Sequence, residues 1–424
     1  MAITILSSPG THTPTYNNQF IVASSTNSGQ TNFKYKVTVE INNGYYNQNT
    51  TLKIPARPDN SKLYFDPKPI TRNYISSPFH NTETDFIVAD VDDFSELKKV
   101  TVGIDEEYGS PVSAFSGVSA SYYIWNASYN NIDFADFVYA TSSVCKDLTL
   151  SPSLTDTINY NQKYLMKAWH RGFSTGNLRY LRLKCYDSSG SNIQTAILEN
   201  IYYDTSNPLS YFRNWIGLNC SPYGFNNITG GAIISQSVGG ALVPTNTYYY
   251  TIEGSATNFG TATINMATVY VNDYCSKYNR YVIHFLNRLG NYDSFTFNLL
   301  SRYKTDKETS DYKKIPYSLN ASNVYRYEKY TNDTVTYNTV LTNKWTLNTD
   351  WINDAQAIWL RDLFASPEVR LEIPDDDNTF GDQSALISVK CTLKSYETKQ
   401  QVNDKSFNFV IEIENALQDV RQGG

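Results

Sequence analysis

The stretch FKYKVTVEI, residues 33–41, decides the fold class. Its aromatic and β-branched residues alternate one by one with charged and polar residues. This two-residue period predicts a β-strand with one face in the core and the other in water. Asn42-Asn43-Gly44 follows directly and is typical of the tight turn of a β-hairpin.

The composition extends this interpretation to the whole chain. Of 424 residues, 35 are Tyr and 20 are Phe, whereas charged residues make up only 18%. Tyr and Thr favour strands, and Asn, Ser and Gly favour the turns between them. The length exceeds that of one hydrophobic core, which indicates about two to four domains. We predict a mainly β fold with several β-sandwich domains of the Ig-like or jelly-roll-like kind.

The strand and turn signals divide the chain into four parts. Residues 1–18 are predicted to form an extended N-terminal arm, and residues 19–93 a small β-sandwich domain. Residues 94–270 are predicted to form a second β domain. Residues 271–424 are predicted to form a third, which ends in a polar tail.

One helix interrupts the strands, at about residues 350–365. Its apolar residues, which include Trp351, Ile358 and Trp359, recur at helical spacing. Thr349 is the expected N-cap, and Ser366-Pro367 is the expected stop.

Charge, hydropathy and cysteine content exclude several classes of protein. The net charge of −6 gives no basic surface for nucleic acid. No stretch approaches the roughly 20 apolar residues of a membrane helix, and no signal peptide is recognisable, so we expect a soluble protein made in the cytoplasm. The five cysteines are odd in number and widely spaced, which favours free, mostly buried thiols.

The search for catalytic groups gives no convincing site. The four histidines show no metal-binding spacing. Gly172–Gly176 matches a nucleophile elbow by letter, with His170 before it, but the strand-like run that follows favours a simple turn. Neither Glu106-Glu107 nor the Asp375–Asp377 triplet has the geometry of a catalytic or calcium-binding group. We therefore predict no enzyme activity, no metal and no cofactor.

A polar turn stands out between two apolar strands, in HFLNRLGNYDSFTF, residues 284–297. His284 is interpreted as a core-edge histidine with one hydrogen bond. The turn is interpreted as rigid, because Gly290 supplies a permissive backbone and polar side chains cap backbone groups. An active site is the alternative. We predict an interface with another subunit, formed by residues that carry charge, amide or aromatic groups: Asn287, Arg288, Gly290, Asp293 and Trp359.

A second candidate surface combines aromatic rings with amide and carboxylate groups. Such groups bind sugars and also build protein interfaces. The sequence favours the interface modestly over a glycan site. The members of this aromatic patch are Tyr122, Tyr123, Trp125, Tyr129 and Asp133.

The chain resembles structural proteins of tailed bacteriophages that infect Bacteroidota. The matching stretches lie along the whole length: Ser7–Gly44, Val100–Gly109, Tyr122–Ser128, Cys275–Phe297, Trp359–Val369 and Asn403–Ala416. The resemblance implies a virion component of tail or baseplate type, built from β-sandwich modules.

The expected function is therefore that of a non-enzymatic virion structural protein. It would assemble in the host cytoplasm into a symmetric tail, baseplate or neck sub-assembly, with copies of itself and other virion proteins as partners. Residues 1–18 would reach a neighbouring subunit by adding a strand to its sheet. A receptor- or glycan-binding module on the virion surface is the alternative.

Overall fold

The computed structural model confirms a mainly β fold, with three α-helices in the part of the chain that it describes. The described residues are 2–42, 47–77, 79, 87–90, 96–129, 155–158, 160, 162–169, 178–200, 213–228, 233–255, 264–271, 277–315, 317–319, 321–327, 330, 332–349, 351–372, 386–395, 409–417 and 419–421.

The chain divides into two compact units. Unit 1 comprises Met1–Asp273 together with Leu286–Ser294, and unit 2 comprises Tyr274–Phe285 together with Phe295–Gly424. The predicted boundary at residue 270 lies close to the division at Asp273. The segment Leu286–Ser294 belongs to unit 1 although both of its flanks belong to unit 2, so the chain enters unit 1 twice.

The described residues of unit 1 form mainly strands, with two short helices, α1 (Lys68–Thr71) and α2 (Pro222–Asn226). Its strands are β1 (Ile3–Ser7), β2 (His12–Pro14), β3 (Ile21–Ser25), β4 (Lys34–Asn42), β5 (Asn47–Pro55), β6 (Lys62–Phe65), β7 (Ile87–Asp90), β8 (Leu97–Tyr108), β9 (Ser113–Trp125), β10 (Thr155–Ile158), β11 (Leu165–Trp169), β12 (Tyr180–Tyr186), β13 (Asn192–Glu199), β14 (Arg213–Asn219), β15 (Ile233–Gln236), β16 (Tyr249–Ser255) and β17 (Ile264–Val271).

The first core of unit 1 lies between two sheets, ordered β1-β3-β6 and β2-β9-β8-β4-β5. The alternating stretch at residues 33–41 forms most of β4, whose Tyr35, Val37, Val39 and Ile41 are buried. They pack with Ile3, Ile21 and Leu63 from the smaller sheet and with Val100 and Ile124 from the larger one. The predicted half-buried strand is confirmed.

The second core of unit 1 lies between a six-stranded sheet, β10-β17-β16-β12-β13-β15, and a three-stranded sheet, β11-β14-β7. The hairpin of β12 and β13 supplies Leu183 and Leu198 to this core, while Met166 and Leu218 enter from the smaller sheet. Asp187 closes that hairpin by accepting hydrogen bonds from the amides of Ser189 and Ser191 at 2.9 Å.

Two parts of the predicted organisation are corrected. Residues 1–18 do not extend from the fold, since β1 pairs with β3 and β2 pairs with β9 of the same unit. They add strands to their own sheets, where Ile3 is buried in the core. Residues 19–93 are not a separate domain, because β4 pairs with β8, which lies beyond the predicted boundary.

Unit 2 is organised around an eight-stranded sheet of order β19-β18-β24-β25-β26-β23-β20, with β27 also paired to β23. A small hairpin of β21 and β22 accompanies it. The strands are β18 (Tyr281–Leu286), β19 (Tyr292–Phe297), β20 (Arg302–Lys313), β21 (Tyr317–Leu319), β22 (Tyr325–Tyr327), β23 (Thr334–Asn348), β24 (Val369–Glu372), β25 (Leu386–Cys391), β26 (Val410–Asn415) and β27 (Asp419–Arg421).

The predicted helix exists but begins later than expected, as α3 (Asp354–Ala365). Asn353 is its N-cap and forms a reciprocal capping box with Gln356. The hydroxyl of Thr349, the expected cap, instead accepts a hydrogen bond from the amide of Phe409 at 2.8 Å. The helix ends at Ser366 as predicted.

The buried face of α3 also differs from the predicted stripe. Ala357, Leu360 and Leu363 enter the core of unit 2, whereas Ile358 is 64% exposed. Trp351 precedes the helix and is 70% exposed. Trp359 and Leu363 of the predicted stripe are buried, so the stripe is partly right, but Ala357 and Leu360 complete the buried face in place of Trp351 and Ile358.

Candidate functional site

The turn at residues 287–291 is closed by its own amide side chains. The side-chain oxygen of Asn287 accepts hydrogen bonds from the backbone amides of Leu289 and Asn291, at 2.9 and 3.0 Å. The amide of Asn287 donates to the carbonyl of Asn291 at 2.8 Å. Gly290 has a φ of +94°, which L side chains rarely adopt. The rigid, self-capped turn is therefore confirmed.

This turn docks onto other residues of unit 1. The indole N–H of Trp125 donates to the carbonyl of Leu289 at 3.0 Å, and the amide of Ser128 donates to the carbonyl of Arg288 at 2.8 Å. The side-chain amide of Asn291 donates to the carbonyl of Leu165 at 3.0 Å. Leu289 itself belongs to the second core. The turn thus links β9 and β11 of its own unit.

The contact is also sterically close at Gly290. A Cβ atom added there would lie 2.5 Å from the carbonyl oxygen of Asn126 and 3.3 Å from the ring of Trp125. Tyr292, just after the turn, packs edge-on against Phe79 with ring centroids 5.0 Å apart. Its hydroxyl donates to the carbonyl of Ser77 at 3.1 Å. Glycine is therefore required at this position by both backbone conformation and space.

The expected location of the turn is corrected by its burial. Asn287, Gly290 and Asp293 are buried within unit 1, and of the four predicted turn residues only Arg288 is exposed. The fifth predicted interface residue, Trp359, is 7% exposed in the core of unit 2. Its ring packs against Phe285 in the same core, with centroids 5.7 Å apart. Docking of the turn takes place inside one chain.

His284 was interpreted from the sequence as a core-edge histidine with one hydrogen bond. The side chain is fully buried in unit 2, and its Nε2 lies 2.9 Å from a carboxylate oxygen of Glu372, which is also buried. A core histidine with a hydrogen-bond partner is confirmed. Solvent has no access to this ring in unit 2.

The aromatic patch does not form as one exposed surface. Tyr122 and Trp125 are 1% and 2% exposed, and the Tyr122 hydroxyl donates to the side-chain oxygen of Gln19 at 2.9 Å. Burial raises the pKa of Tyr122 far above its usual value. Tyr123 stacks on His12 with centroids 5.5 Å apart.

Tyr129 is half-buried, and its backbone forms a reciprocal pair of hydrogen bonds with the Asn17 side chain, at 2.7 and 2.8 Å. Asp133 lies outside the described residues. Tyr122 and Trp125 of the predicted patch therefore support the fold rather than a surface, and a glycan-binding role for the patch remains a prediction.

The other candidates from the sequence are not brought together as a site in the described residues. Glu106 accepts hydrogen bonds from Ser25 and Asn27, whereas Glu107 pairs with Lys53 at 2.7 Å, so the two carboxylates do not converge. The segments His170–Gly176 and Asp375–Asp377 lie outside the described residues. In the described part of the chain, no group of three or more His, Cys, Asp or Glu side chains could hold a metal ion.

Sequence reasoning missed a buried polar network in unit 1. The hydroxyl of Tyr164 donates to the carboxylate of Asp156, and Lys167 pairs with Glu96 at 2.8 Å with both side chains buried. Burial, followed by the negative charge of Asp156, raises the pKa of Tyr164. The phenol therefore stays a neutral hydrogen-bond donor. Lys167 and Glu96 are 71 positions apart, so no local sequence pattern links the two members of this ion pair.

The cysteines that the structure describes are free thiols. Cys185 and Cys220 are buried and Cys391 is partly buried, as predicted. Burial raises the pKa of Cys185 to about 12, so its thiol remains protonated and unreactive at neutral pH.

The most exposed element is a β-ribbon formed by β20 (Arg302–Lys313) and β23 (Thr334–Asn348). From here on this ribbon is called the arm, and the name no longer refers to residues 1–18. Twelve residues of β20 pair antiparallel with β23. No residue of β20 is buried, although its neighbours in the sheet pack on a core. β20 contains most of the charged segment 304–314 and, in the described residues, forms an edge strand of its sheet.

No helix in the described residues is long and apolar enough to cross a membrane. No protein-family model matches the chain, and no curated protein matches it.

Proposed function

We propose that the protein is a non-enzymatic structural component of the virion of a tailed phage. It assembles through its β-domains into a symmetric tail, baseplate or neck sub-assembly, in the cytoplasm of the bacterial host. Copies of itself and other virion proteins are its partners. The observation that carries the proposal is the arm, because a long strand edge presents a row of backbone N–H and C=O groups with which a strand of another chain can pair.

A two-stranded ribbon with water on both faces is marginally stable by itself. In the described residues the outer edge of β20 has no strand paired to it. A neighbouring subunit that adds a strand there satisfies the free backbone groups and covers one more row of side chains. Repeated contacts of this kind close into rings or extend into filaments.

The arm and the described residues between its two strands also display large side chains at the surface. Their exposed fractions range from 49% to 83%, values far above those of core residues. Tyr is favoured in protein interfaces because it buries a large area at a small cost in side-chain entropy. The residues are Tyr303, Tyr312, Ile315, Val324, Tyr325, Tyr330 and Tyr337.

The resemblance of the sequence to virion proteins supports the same proposal. The receptor- or glycan-binding alternative lacks comparable support, because Tyr122 and Trp125, which were predicted to carry it, are core residues.

Immunogold labelling of intact phage particles with antibody against this chain tests the proposal. Label confined to the tail, its tip or the neck is the expected result, and antibody preabsorbed with the purified protein is the control. Particles that never label, with the protein found only free in the lysate, would refute it.

A further inference from the structure

The charges on one face of the exposed edge strand β20 follow a directional order. Side chains two positions apart share a face of a strand. Arg302, Lys304, Asp306 and Glu308 therefore lie in one row, with two positive charges followed by two negative charges. The row is regular, because the only irregularity of β20 against β23 comes later, between Ser310 and Asp311.

We propose that β20 pairs with β20 of a second copy of this chain, antiparallel, with Thr305 opposite Thr305. Arg302 then lies opposite Glu308 of the second copy, and Lys304 lies opposite Asp306 of the second copy. The two-fold symmetry repeats both pairs, so four opposite-charge contacts form with no like-charge contact. This pairing rests on the proposed role of the protein in assembly.

The allowed registers are limited by the backbone. Along an edge strand the outward-facing N–H and C=O groups belong to every second residue. Two copies of one strand must therefore place residues of equal parity opposite each other, and the axis of symmetry falls on a residue. An axis on Asp306 places that carboxylate opposite itself, and an axis on Lys307 places two ammonium groups opposite each other. An axis on Thr305 avoids both.

A parallel arrangement is disfavoured by the same row of charges. In-register parallel strands would place Arg302 beside Arg302 and Glu308 beside Glu308 of the second copy. Like charges directly opposite each other destabilise a sheet. The order of two positive and two negative charges is self-complementary only when one strand is reversed.

Ion pairs already present on this face fit the proposed contact. Asp306 lies 2.5 Å from the Nζ atom of Lys304 and 3.0 Å from that of Lys344. These hydrogen bonds lower the pKa of Asp306, so its carboxylate is charged at neutral pH. Pairing of two arms would extend each of these clusters across the axis into a ladder of alternating charge.

The opposite face of β20 is compatible with the same register. Tyr303 would lie opposite Lys307 of the second copy, where an ammonium group can rest on an aromatic ring. Tyr303 is 57% exposed in the single chain. Thr305, which is also exposed, would meet its own copy at the axis.

A cysteine at the axis tests the register directly. Opposite residues of antiparallel strands have Cα atoms about 4.5–5.5 Å apart, within the range that a disulfide spans. Thr305→Cys in the full chain is expected to give a disulfide-linked dimer on mild oxidation. Thr309→Cys is the matched control, because its two copies would lie about 27 Å apart in this register. Wild-type protein treated identically sets the background from the native cysteines.

Charge exchange tests the chemistry of the contact. Glu308→Arg places Arg302 opposite an arginine twice per dimer, and we expect self-association to weaken on the order of tenfold in sedimentation velocity at low salt. The double variant Arg302→Glu with Glu308→Arg restores opposite charges and is expected to restore the dimer. Thermal unfolding of each variant monitors the fold.

The inference is supported by selective cross-linking at position 305 together with loss and recovery of the dimer in the two charge variants. Equal cross-linking at positions 305 and 309, a double variant that stays monomeric, or wild-type protein that is monomeric up to its solubility limit would overturn it. Labelled particles together with a monomeric chain would overturn the pairing alone and leave the virion role intact.

Discussion

Two polar stretches that lie close together in the sequence differ in burial. The turn 287–291 is buried in unit 1 except at Arg288, whereas β20, residues 302–313, has no buried residue. Both are rich in hydrogen-bonding side chains. The kind of polar group separates them, since the turn is dominated by amides and the strand by charges.

Amide side chains can be buried because they satisfy backbone groups without carrying charge. Asn287 accepts two backbone N–H groups, and Asn291 donates to the carbonyl of Leu165. The charges of β20 would lose their hydration in such a site, at a high cost in free energy. Polarity alone therefore does not identify an outer surface.

Removal of the Trp125 side chain should break the docking of the turn. Trp125→Ala leaves a cavity in the second core and an unpaired carbonyl at Leu289. We expect the free energy of unfolding to fall by about 3–5 kcal/mol in denaturant titrations. Trp125→Phe, which keeps most of the volume but loses the indole donor, should cost about 1–3 kcal/mol. Equal stability of Trp125→Ala and the wild type would contradict the buried placement.

Two glycines with positive φ separate backbone strain from close packing. Gly290 has a φ of +94° and Gly190 one of +80°, but a Cβ atom meets nearby atoms only at Gly290. Gly190→Ala should cost about 1 kcal/mol through strain alone. Gly290→Ala should cost about 2 kcal/mol more, because the carbonyl of Asn126 must move. Thermal unfolding of both variants measures the difference, and equal losses would place the turn outside the core.

A pair of asparagines compares a buried cap with an exposed one. Asn287→Ala removes the acceptor for two buried amides and should cost about 2 kcal/mol or more. Asn353→Ala removes one exposed helix cap and should cost about 1 kcal/mol. Chemical denaturation with matched baselines decides the order. A larger loss at Asn353 would reverse the contrast between buried and exposed polar groups.

Loss of one ion pair in the arm should have only a small effect on a single chain. The pKa of Asp306 is lowered from 3.8, first by Lys304 and then by Lys344. A depressed folded-state pKa stabilises the protein above the unfolded value, and this contribution is lost as the pH falls through the folded value. Lys344→Gln should move the titration midpoint of Asp306 upwards, toward 3.8, in carboxyl NMR spectra. An unchanged midpoint would show that the ion pair is absent in solution.

Local patterns predicted the strands well, because alternation is a property of neighbouring residues. The strand β4, the β12–β13 hairpin and the end of the helix at Ser366 all follow from short stretches of sequence. The self-capped turn was predicted on the same basis. Each of these depends on residues within a few positions of one another.

Contacts between residues that are distant in the chain could not be predicted from local patterns. Leu289 of the turn is 164 residues from Trp125, and β2 of the N-terminal segment pairs with the distant strand β9. A rigid polar turn docks equally well on its own chain or on another, so only the fold identifies the acceptor. Trp125 and Tyr122 were placed at the surface for the same reason.

Hydrogen–deuterium exchange of the full chain at two protein concentrations tests the central contrast most directly. The account predicts that residues 286–294 are protected equally at both concentrations, since their hydrogen bonds lie within unit 1. It predicts that residues 302–313 exchange rapidly in dilute solution and slowly when concentrated, as the free edge becomes paired. Rapid exchange of the turn, or exchange of the strand that does not depend on concentration, would contradict it.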